Sequence, residues 1–458
     1  MPDMPNIFFE SLGCDKNLVD SEKMLGLLSD AGYSFTDREE DADVIVVNTC
    51  AFIGDAKEES IQEILRLAAY KENGRCRSLI AAGCLAERYK EEILSELPEL
   101  DAVVGTSSWD RIVSAVEKTL HKRDDKITLT RAEFYEDISR LPASDGPRIL
   151  TTGGHYAYLK IAEGCDKYCT YCAIPYCRGR YRSVPMEDLV REAEQLAAKG
   201  VKELILVAQE TTLYGTDLYG EKKLPELIRR LGKVQGICWI RLLYGYPEEL
   251  TDEMIDLFAE EPKLCHYLDL PIQHASDRIL RAMGRKTTRE EVTALIRRLR
   301  EKVPDIALRT TLMSGFPGET EEDHAENLSF VSEIRFERLG VFAYSREEGT
   351  AAAKFKDQVP KRLREKRRNE LMRLQQKIAF EKAKEMPGRQ LDVMVEGSVA
   401  DEEHVYVSRT YADAPDVDGL LFFTSGKEYL TGDLVRVLVT GAKGYDLIGE
   451  VVEDESAE

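Results

Sequence analysis

EGCDKYCTYCAIPYCRG, residues 163–179, follows the apolar run AYLKIA (157–162) and sets four cysteines, Cys165, Cys169, Cys172 and Cys177, in one turn-rich stretch. A short strand that opens into a thiol-rich loop begins a longer pattern. AYLKIA, KELILVA, CWIRLLY, HYLDLP, ALRTTLM and GVFAY read as six strands, with helical segments such as DLVREAEQLAAKG and REEVTALIRRLREK between them. Six βα units over 155–345 predict an incomplete (β/α)6 barrel or a large open α/β sheet. Active residues would then lie at the carboxyl ends of the strands.

Outward from this core the chain changes twice. Residues 1–120 repeat strand, loop and helix: NIFFESLGC, DADVIVVNTC, SLIAAGC and DAVVGTSSW supply strands, and NLVDSEKMLGLLSDAG, DAKEESIQEILRLAAY and RIVSAVEKTL supply helices. That alternation predicts a parallel sheet flanked by helices. LPASDGPRILTTGG (141–154) marks the boundary. The N-terminal domain is thus expected over 1–140 and the central domain, with a linker helix, over 150–385. PKRLREKRRNELMRLQQKIAFEKAKEM reads as that helix, its charges forming a solvated face. Short alternating strands after Gly388 predict a small antiparallel β-barrel over 386–458. The fold class is α/β throughout the first two domains.

A length of 458 residues suits about three domains. No apolar run reaches about 18 residues, so no membrane span or membrane partner is expected. The N-terminus lacks the basic region and apolar core of a secretory signal. Ten cysteines without an export signal point to the cytoplasm and to metal or catalytic thiols. The net charge of −21 works against sequence-independent binding of nucleic acid and favours a basic partner. Residues 386–458 hold 16 Asp and Glu against 5 Lys and Arg, a balance of −11.

The thiols divide by position. Cys14, Cys50 and Cys84 each follow a strand of the N-terminal sheet, and loops after parallel strands share one edge. Cys76 precedes its strand and belongs on the opposite edge. Cys238 and Cys265 begin central strands and read as buried small hydrophobes. The spacing C-x3-C-x2-C covers Cys165, Cys169 and Cys172, and Cys177 falls outside it. Zinc also favours CxxC pairs, but no later CxxC or HxxxH supplies a second knuckle. Iron–sulfur cubes normally take four thiolates. Two sets of three, 14/50/84 and 165/169/172, argue for two clusters, each with one open iron. A purely structural or storage module gains nothing from two incomplete sets.

EGCDKYCTYC after a barrel strand resembles the radical S-adenosylmethionine (SAM) superfamily. SLGCDKNLVDSEKM, VVNTCAF, AAGCLAER, RTTLMSGFPGETEED and the terminal β-barrel are similar, in that order, to the methylthiotransferase family. The resemblance implies two 4Fe–4S clusters and SAM as methyl donor and radical source. Cys14, Cys50 and Cys84 would hold an auxiliary cluster for sulfur delivery. Cys165, Cys169 and Cys172 would hold the cluster that chelates SAM. The terminal barrel would be a substrate-contacting TRAM domain, and the reaction would convert C–H to C–S–CH3.

The resemblance also suggests SAM contacts. Tyr171 would lie near the adenine, or simply pack the loop. Gln209 and Glu210 would meet the amino group, or cap a helix. Arg309 would pair with the carboxylate, or with a structural acid. Lys160 and Gln273 would face the barrel mouth. GFPGE (315–319) would be a tight turn admitting backbone close to the cofactor. His155, His266 and His274 need no catalytic role.

Two branches of the family compete. SLGCDKNLVDSE, AYLKIAEGC and LVAQETT look like the protein-modifying, RimO-type branch, which acts on an aspartate β-carbon of small-subunit ribosomal protein number twelve. Its loop usually reads Gly-Cys-Pro-Lys-Asn, and Asp15 here replaces the proline. The other branch modifies a tRNA adenosine beside the anticodon, which an acidic terminal domain disfavours. The partners implied are a basic ribosomal protein, a sulfur donor and an electron donor such as flavodoxin or ferredoxin.

Overall fold

The computed structural model describes residues 4–90, 92–121, 131–142, 146–400 and 402–452. Residues 143–145, within the expected boundary at 141–154, lie outside them. Residues 453–458 and Asp401, counted above in the terminal charge, also lie outside.

The first unit is a six-stranded parallel sheet: β1 Asn6–Ser11, β2 Ser34–Phe35, β3 Val44–Thr49, β4 Ser78–Gly83, β5 Ala102–Val104 and β6 Ala132–Phe134. Their spatial order is β2-β1-β3-β4-β5-β6. β3 and β4 are buried at every residue, which explains why VIVVNT and SLIAAG read as continuous apolar-to-small runs rather than alternations. β2 and β6 were not visible in the pattern because two or three residues cannot show a period.

The second unit is the expected six-stranded parallel sheet, formed by β7 Tyr156–Lys160, β10 Glu203–Val207, β11 Trp239–Leu242, β12 Leu264–Asp269, β13 Ala307–Ser314 and β14 Arg338–Ala343. Neighbours in space follow neighbours in sequence, the order of successive βαβ units. A two-stranded hairpin, β8 Ala162–Glu163 with β9 Arg182–Ser183, brackets the thiol loop. Helices cover the outer face: Leu189, Ala193 and Leu196 of Met186–Ala198 and Leu295, Ile296 and Leu299 of Arg289–Lys302 enter one core. The long basic helix, Lys361–Ala383, is only half solvated. Leu371, Gln375 and Ile378 are buried, and Arg367 donates to Glu319 Oε1 at 3.0 Å. The helix therefore clamps the open edge of the sheet rather than standing clear in water.

The third unit is a closed five-stranded barrel: β15 Gln390–Ser398, β16 Val405–Thr410, β17 Leu421–Thr424, β18 Leu434–Lys443 and β19 Asp446–Val451. Four ladders are antiparallel, and β17 with β19 closes the ring in parallel.

This barrel docks on the amino-terminal end of the central sheet. Met394 and Ala414 share a core with Tyr156, Ile205, Trp239, Tyr267 and Ala307. Glu203, buried in β10, accepts from Arg241 Nε at 2.6 Å and from Arg409 Nη2 at 2.8 Å. Tyr156 donates to Asp416 at 3.0 Å and Tyr267 to Asp418 at 2.8 Å, and Asp413 pairs with Arg338. His155 reaches Glu396 at 3.0 Å. Four of the terminal domain's carboxylates, Glu396, Asp413, Asp416 and Asp418, thus face the central domain. This weakens the electrostatic argument drawn from its net charge.

Candidate active site

Three parallel strands deliver the first thiol set to one edge. Cys14 follows β1 and caps the helix Asp15–Asp30, Cys50 follows β3, and Cys84 follows β4 and opens the helix Cys84–Arg88. A helix N-terminus favours a thiolate. Cys50 is pinned through both backbone groups by Ser60 Oγ, each at 3.0 Å. Burial pushes the Cys84 thiol up to about 12, while the Arg178 guanidinium draws it down and the sulfurs of Cys50 and Cys14 oppose that. All three thiols thus open from the same edge of the N-terminal sheet.

A repeated Gly-Cys step sets these positions. Gly13, Gly83 and Gly164 each precede a cysteine with φ of +96°, +88° and +78°, a region that L side chains rarely enter. A Cβ on residue 83 would lie 2.3 Å from Asn48 Oδ1 and 2.8 Å from the Thr49 carbonyl. Gly83→Ala is expected to destabilise the chain by about 2–4 kcal/mol, combining backbone strain with overpacking. A urea midpoint equal to that of the parent chain would contradict this account.

The second set lies on the loop after β7. The Lys167 N–H points at Cys165 Sγ (3.5 Å), the Ile174 N–H at Cys172 Sγ (3.4 Å), and the Tyr246 hydroxyl stands 3.9 Å from Cys169 Sγ. Backbone bonds from Cys165 N to Gly179 O, 3.1 Å, and from Thr170 N to Met283 O, 2.9 Å, fix the loop on both sides. Burial pushes Cys165 up to about 12 and raises Cys172 as well, with Cys169 adding to both. Among the described residues no three His, Cys, Asp or Glu side chains close around a single-ion site. The sets are recognised by shared edge and mutual influence. Their donors, three soft thiols each, suit an iron–sulfur cluster with one iron left open.

Cys177 belongs to neither loop. It is buried in a core with Leu85, Ala51 and Ala173, and its carbonyl accepts from Thr106 Oγ1 at 2.8 Å. Cys265 is buried as expected, but Cys238 is half-exposed beyond the start of β11, so it is not a core thiol. Cys76 precedes β4, on the opposite edge.

The residues suggested as SAM contacts separate by their partners. Glu210 is fully buried; its Oε1 accepts from Thr212 N at 2.9 Å, and its Oε2 has no partner. Burial pushes this carboxyl up to about 8, against the pull of Thr212 and Lys167. An unpaired buried carboxyl beside the thiol loop suits a cationic ligand. Gln209 bridges the Gly164 N–H (2.7 Å) and Glu163 Oε1 (2.8 Å). Tyr171 packs edge-on to Phe316 at 6.5 Å, so the thiol loop and the GFPGE turn meet there. Arg309 lies opposite Asp269 in register, its charge influenced by Tyr267, Asp269 and Asp418. Gln273, with φ of +77°, bridges to Leu312 beyond the end of β12. Lys160 is already engaged, by Asp20 and by Glu163 at 2.7 Å. His266 and His274 bond to Asp305 and Asn327.

The raised carboxyl gives a pH test. Folded Glu210 keeps its proton from about pH 4.5 to about 8 while the unfolded chain has lost it. Stability therefore falls as pH rises through that window, by at most about 1.4 kcal/mol per unit. In SAM-free protein, Glu210→Gln should flatten the dependence of the urea midpoint between pH 5 and 8. An unchanged slope would show that Glu210 titrates normally.

Sequence reasoning missed three cations that stand beside the two sets. Arg178 closes the helix Ile174–Arg178, which starts two residues after Cys172, and its Nε lies 3.3 Å from Cys84 Sγ. Arg285 stacks 4.1 Å over the Tyr246 ring, with Nε and Nη1 unpartnered beside the loop. Lys16 lies 3.4 Å over Tyr244 and pairs with Asp15 at 2.9 Å. No spacing rule flags them. Only the CRGR that follows the loop hinted at a cation.

Family models match three segments: the uncharacterized protein family UPF0004 at 6–105, the radical SAM superfamily at 159–331 and the TRAM domain at 388–452. A protein of Lachnoclostridium phytofermentans named ribosomal protein uS12 methylthiotransferase RimO is 58% identical over 443 residues, covering 97% of this chain and 99% of that protein. One of the same name from Acetivibrio thermocellus is 53% identical, covering 97% and 98%. Among solved structures, the radical SAM methyltransferase TsrM of Kitasatospora setae, with cobalamin and a [4Fe–4S] cluster bound, aligns with a TM-score of 0.57. It has 16% identity and covers 76% of this chain and 77% of that one, which supports the fold. With the relatives' names, the three family matches and the two thiol sets in agreement, the chain belongs to the RimO-type family of radical SAM methylthiotransferases.

Proposed function

We propose that this enzyme adds a methylthio group to the β-carbon of an aspartate in ribosomal protein uS12. The observation that carries the reading is the pair of three-thiol sets, one on each parallel sheet, in a chain similar over nearly its full length to proteins of that name. When bound, SAM and the two 4Fe–4S clusters supply the radical, the sulfur and the methyl group.

The chain's own residues would hold and orient these groups. Cys14, Cys50 and Cys84 hold the auxiliary cluster, and Cys165, Cys169 and Cys172 hold the cluster that takes SAM. Glu210 offers its unpaired oxygen to the SAM ammonium, and Gln209 fixes the Gly164 backbone beneath the loop. Tyr171 and the GFPGE turn would flank the adenine and Gln273 would line the mouth, while Arg309, set among Tyr267, Asp269 and Asp418, would reach the SAM carboxylate from deeper in the sheet. Lys160, saturated by Asp20 and Glu163, orients Glu163 instead of touching SAM.

We take the domain limits as 1–140, 150–385 and 386–458, a division that the three separate sheets support. The enzyme works in the cytoplasm with a separate sulfur donor and an electron donor such as flavodoxin or ferredoxin, and tRNA is not its substrate. Anaerobic incubation of reconstituted enzyme with both uS12 and tRNA, followed by mass spectrometry, tests this. The methylthio group is expected on the protein aspartate, and its appearance on tRNA adenosine would overturn the assignment.

A further inference from the structure

Arg178 reaches into the N-terminal thiol set from the central domain. It is 3% exposed. Its Nε–H is directed at Cys84 Sγ, 3.3 Å away. The rest of the guanidinium is held at three points: Nη1 donates to Asp20 Oδ2 at 2.7 Å and to Glu163 Oε2 at 3.0 Å, and Nη2 donates to Asn17 Oδ1. A planar fork held at three points cannot turn its Nε away from the sulfur. The same short helix begins beside Cys172 and ends at Arg178. Through Glu163 and Gln209 the network continues to the Gly164 backbone, one residue before Cys165.

We propose that Arg178 is a positioning residue that fixes Cys84 and raises the reduction potential of the auxiliary cluster through its Nε–H···S bond. This rests on the reading that Cys14, Cys50 and Cys84 hold that cluster. A hydrogen bond to a cluster sulfur stabilises the reduced, more negative state. Local charge alone would do little, because the cations Arg178 and Lys160 are matched by the carboxylates Asp20 and Glu163. The directional bond is the part left uncancelled. It gives the central domain a handle on the auxiliary cluster that no cysteine supplies.

The test uses the full chain carrying Cys165→Ala, Cys169→Ala and Cys172→Ala, anaerobically reconstituted, so that a single cluster remains to be titrated by electron paramagnetic resonance. Arg178→Lys keeps the charge and loses the Nε–H. At a fixed solution potential it should lower the ratio of reduced to oxidised cluster about tenfold, equivalent to about 59 mV for a one-electron couple. A second measurement leaves Arg178 in place: with ¹⁵N-arginine labelling, the reduced cluster should show a nitrogen coupling in pulsed resonance. An unchanged midpoint, or absence of the coupling if the lysine chain fails to load iron, overturns the proposal. A parent triple variant that binds no cluster at all overturns instead the ligand assignment on which it rests.

Discussion

Replacing Cys14, Cys50 and Cys84 together by alanine should abolish methylthio transfer while leaving SAM cleavage close to the parent rate. The three thiols stand on the edge of the N-terminal sheet, whereas Cys165, Cys169, Cys172, Glu210 and Tyr171 all belong to the central one. Removing the first set therefore leaves the second set's loop bonds and its buried carboxyl untouched. Bound iron should drop from about eight to about four per chain, one cube's worth. Replacing Cys165, Cys169 and Cys172 should do the reverse, removing SAM cleavage entirely and again halving the iron. Iron assay with chromatography of 5′-deoxyadenosine separates the two outcomes. A full iron load in the first variant would mean that those three thiols hold nothing.

Glu203→Ala should be the most damaging single change away from the thiols, costing about 3–5 kcal/mol. Glu203 lies between Arg241 and Arg409, and all three are buried. Removal of the carboxylate leaves two guanidinium groups facing each other without water. Against the cost of burial, Arg241 and Arg409 hold the Glu203 carboxyl below its ordinary value. Its stabilisation is thus complete above the usual carboxylate range and is lost as acid protonates it. The alanine variant should show a lower urea midpoint at neutral pH and a shallower loss of stability in acid. Cleavage by a protease near Gly388, where the terminal barrel joins the helix, should accelerate. Adding Arg409→Met should restore part of the loss, since the pair is coupled. Strictly additive effects would show that the two side chains act separately.

The thiol sets were legible because their logic is local. Each cysteine follows a strand, and parallel strands deliver successive loops to one edge whatever lies between them. The spacing within 165–172 carries its own geometry. The residues binding the domains together were illegible for the converse reason. Asp20, Glu22 and Lys23 sit on a helix that reads as an ordinary polar face, yet all three are buried. Glu22 receives Arg148 at 2.6 Å, Lys23 reaches Glu192 at 3.1 Å, and Asp20 meets Arg178. A charge bound for a buried pair and one bound for water look alike in sequence until the partner is known. The terminal domain's charge has the same limit, because a count of carboxylates does not say which of them meet an arginine.

The loop between Tyr411 and Asp418 closes the amino end of the central sheet with apolar packing and tyrosine–aspartate bonds. With that end closed, the opposite rim offers a doorway to the thiol loop. SAM, required twice, its spent fragments and a segment of the protein substrate would share that rim. Such traffic favours a compulsory order, in which the small molecule is seated before the macromolecule covers the rim. The macromolecule would then withdraw, at least in part, between the two rounds. Slow exchange at that doorway, rather than slow bond-making, would then set the pace of turnover.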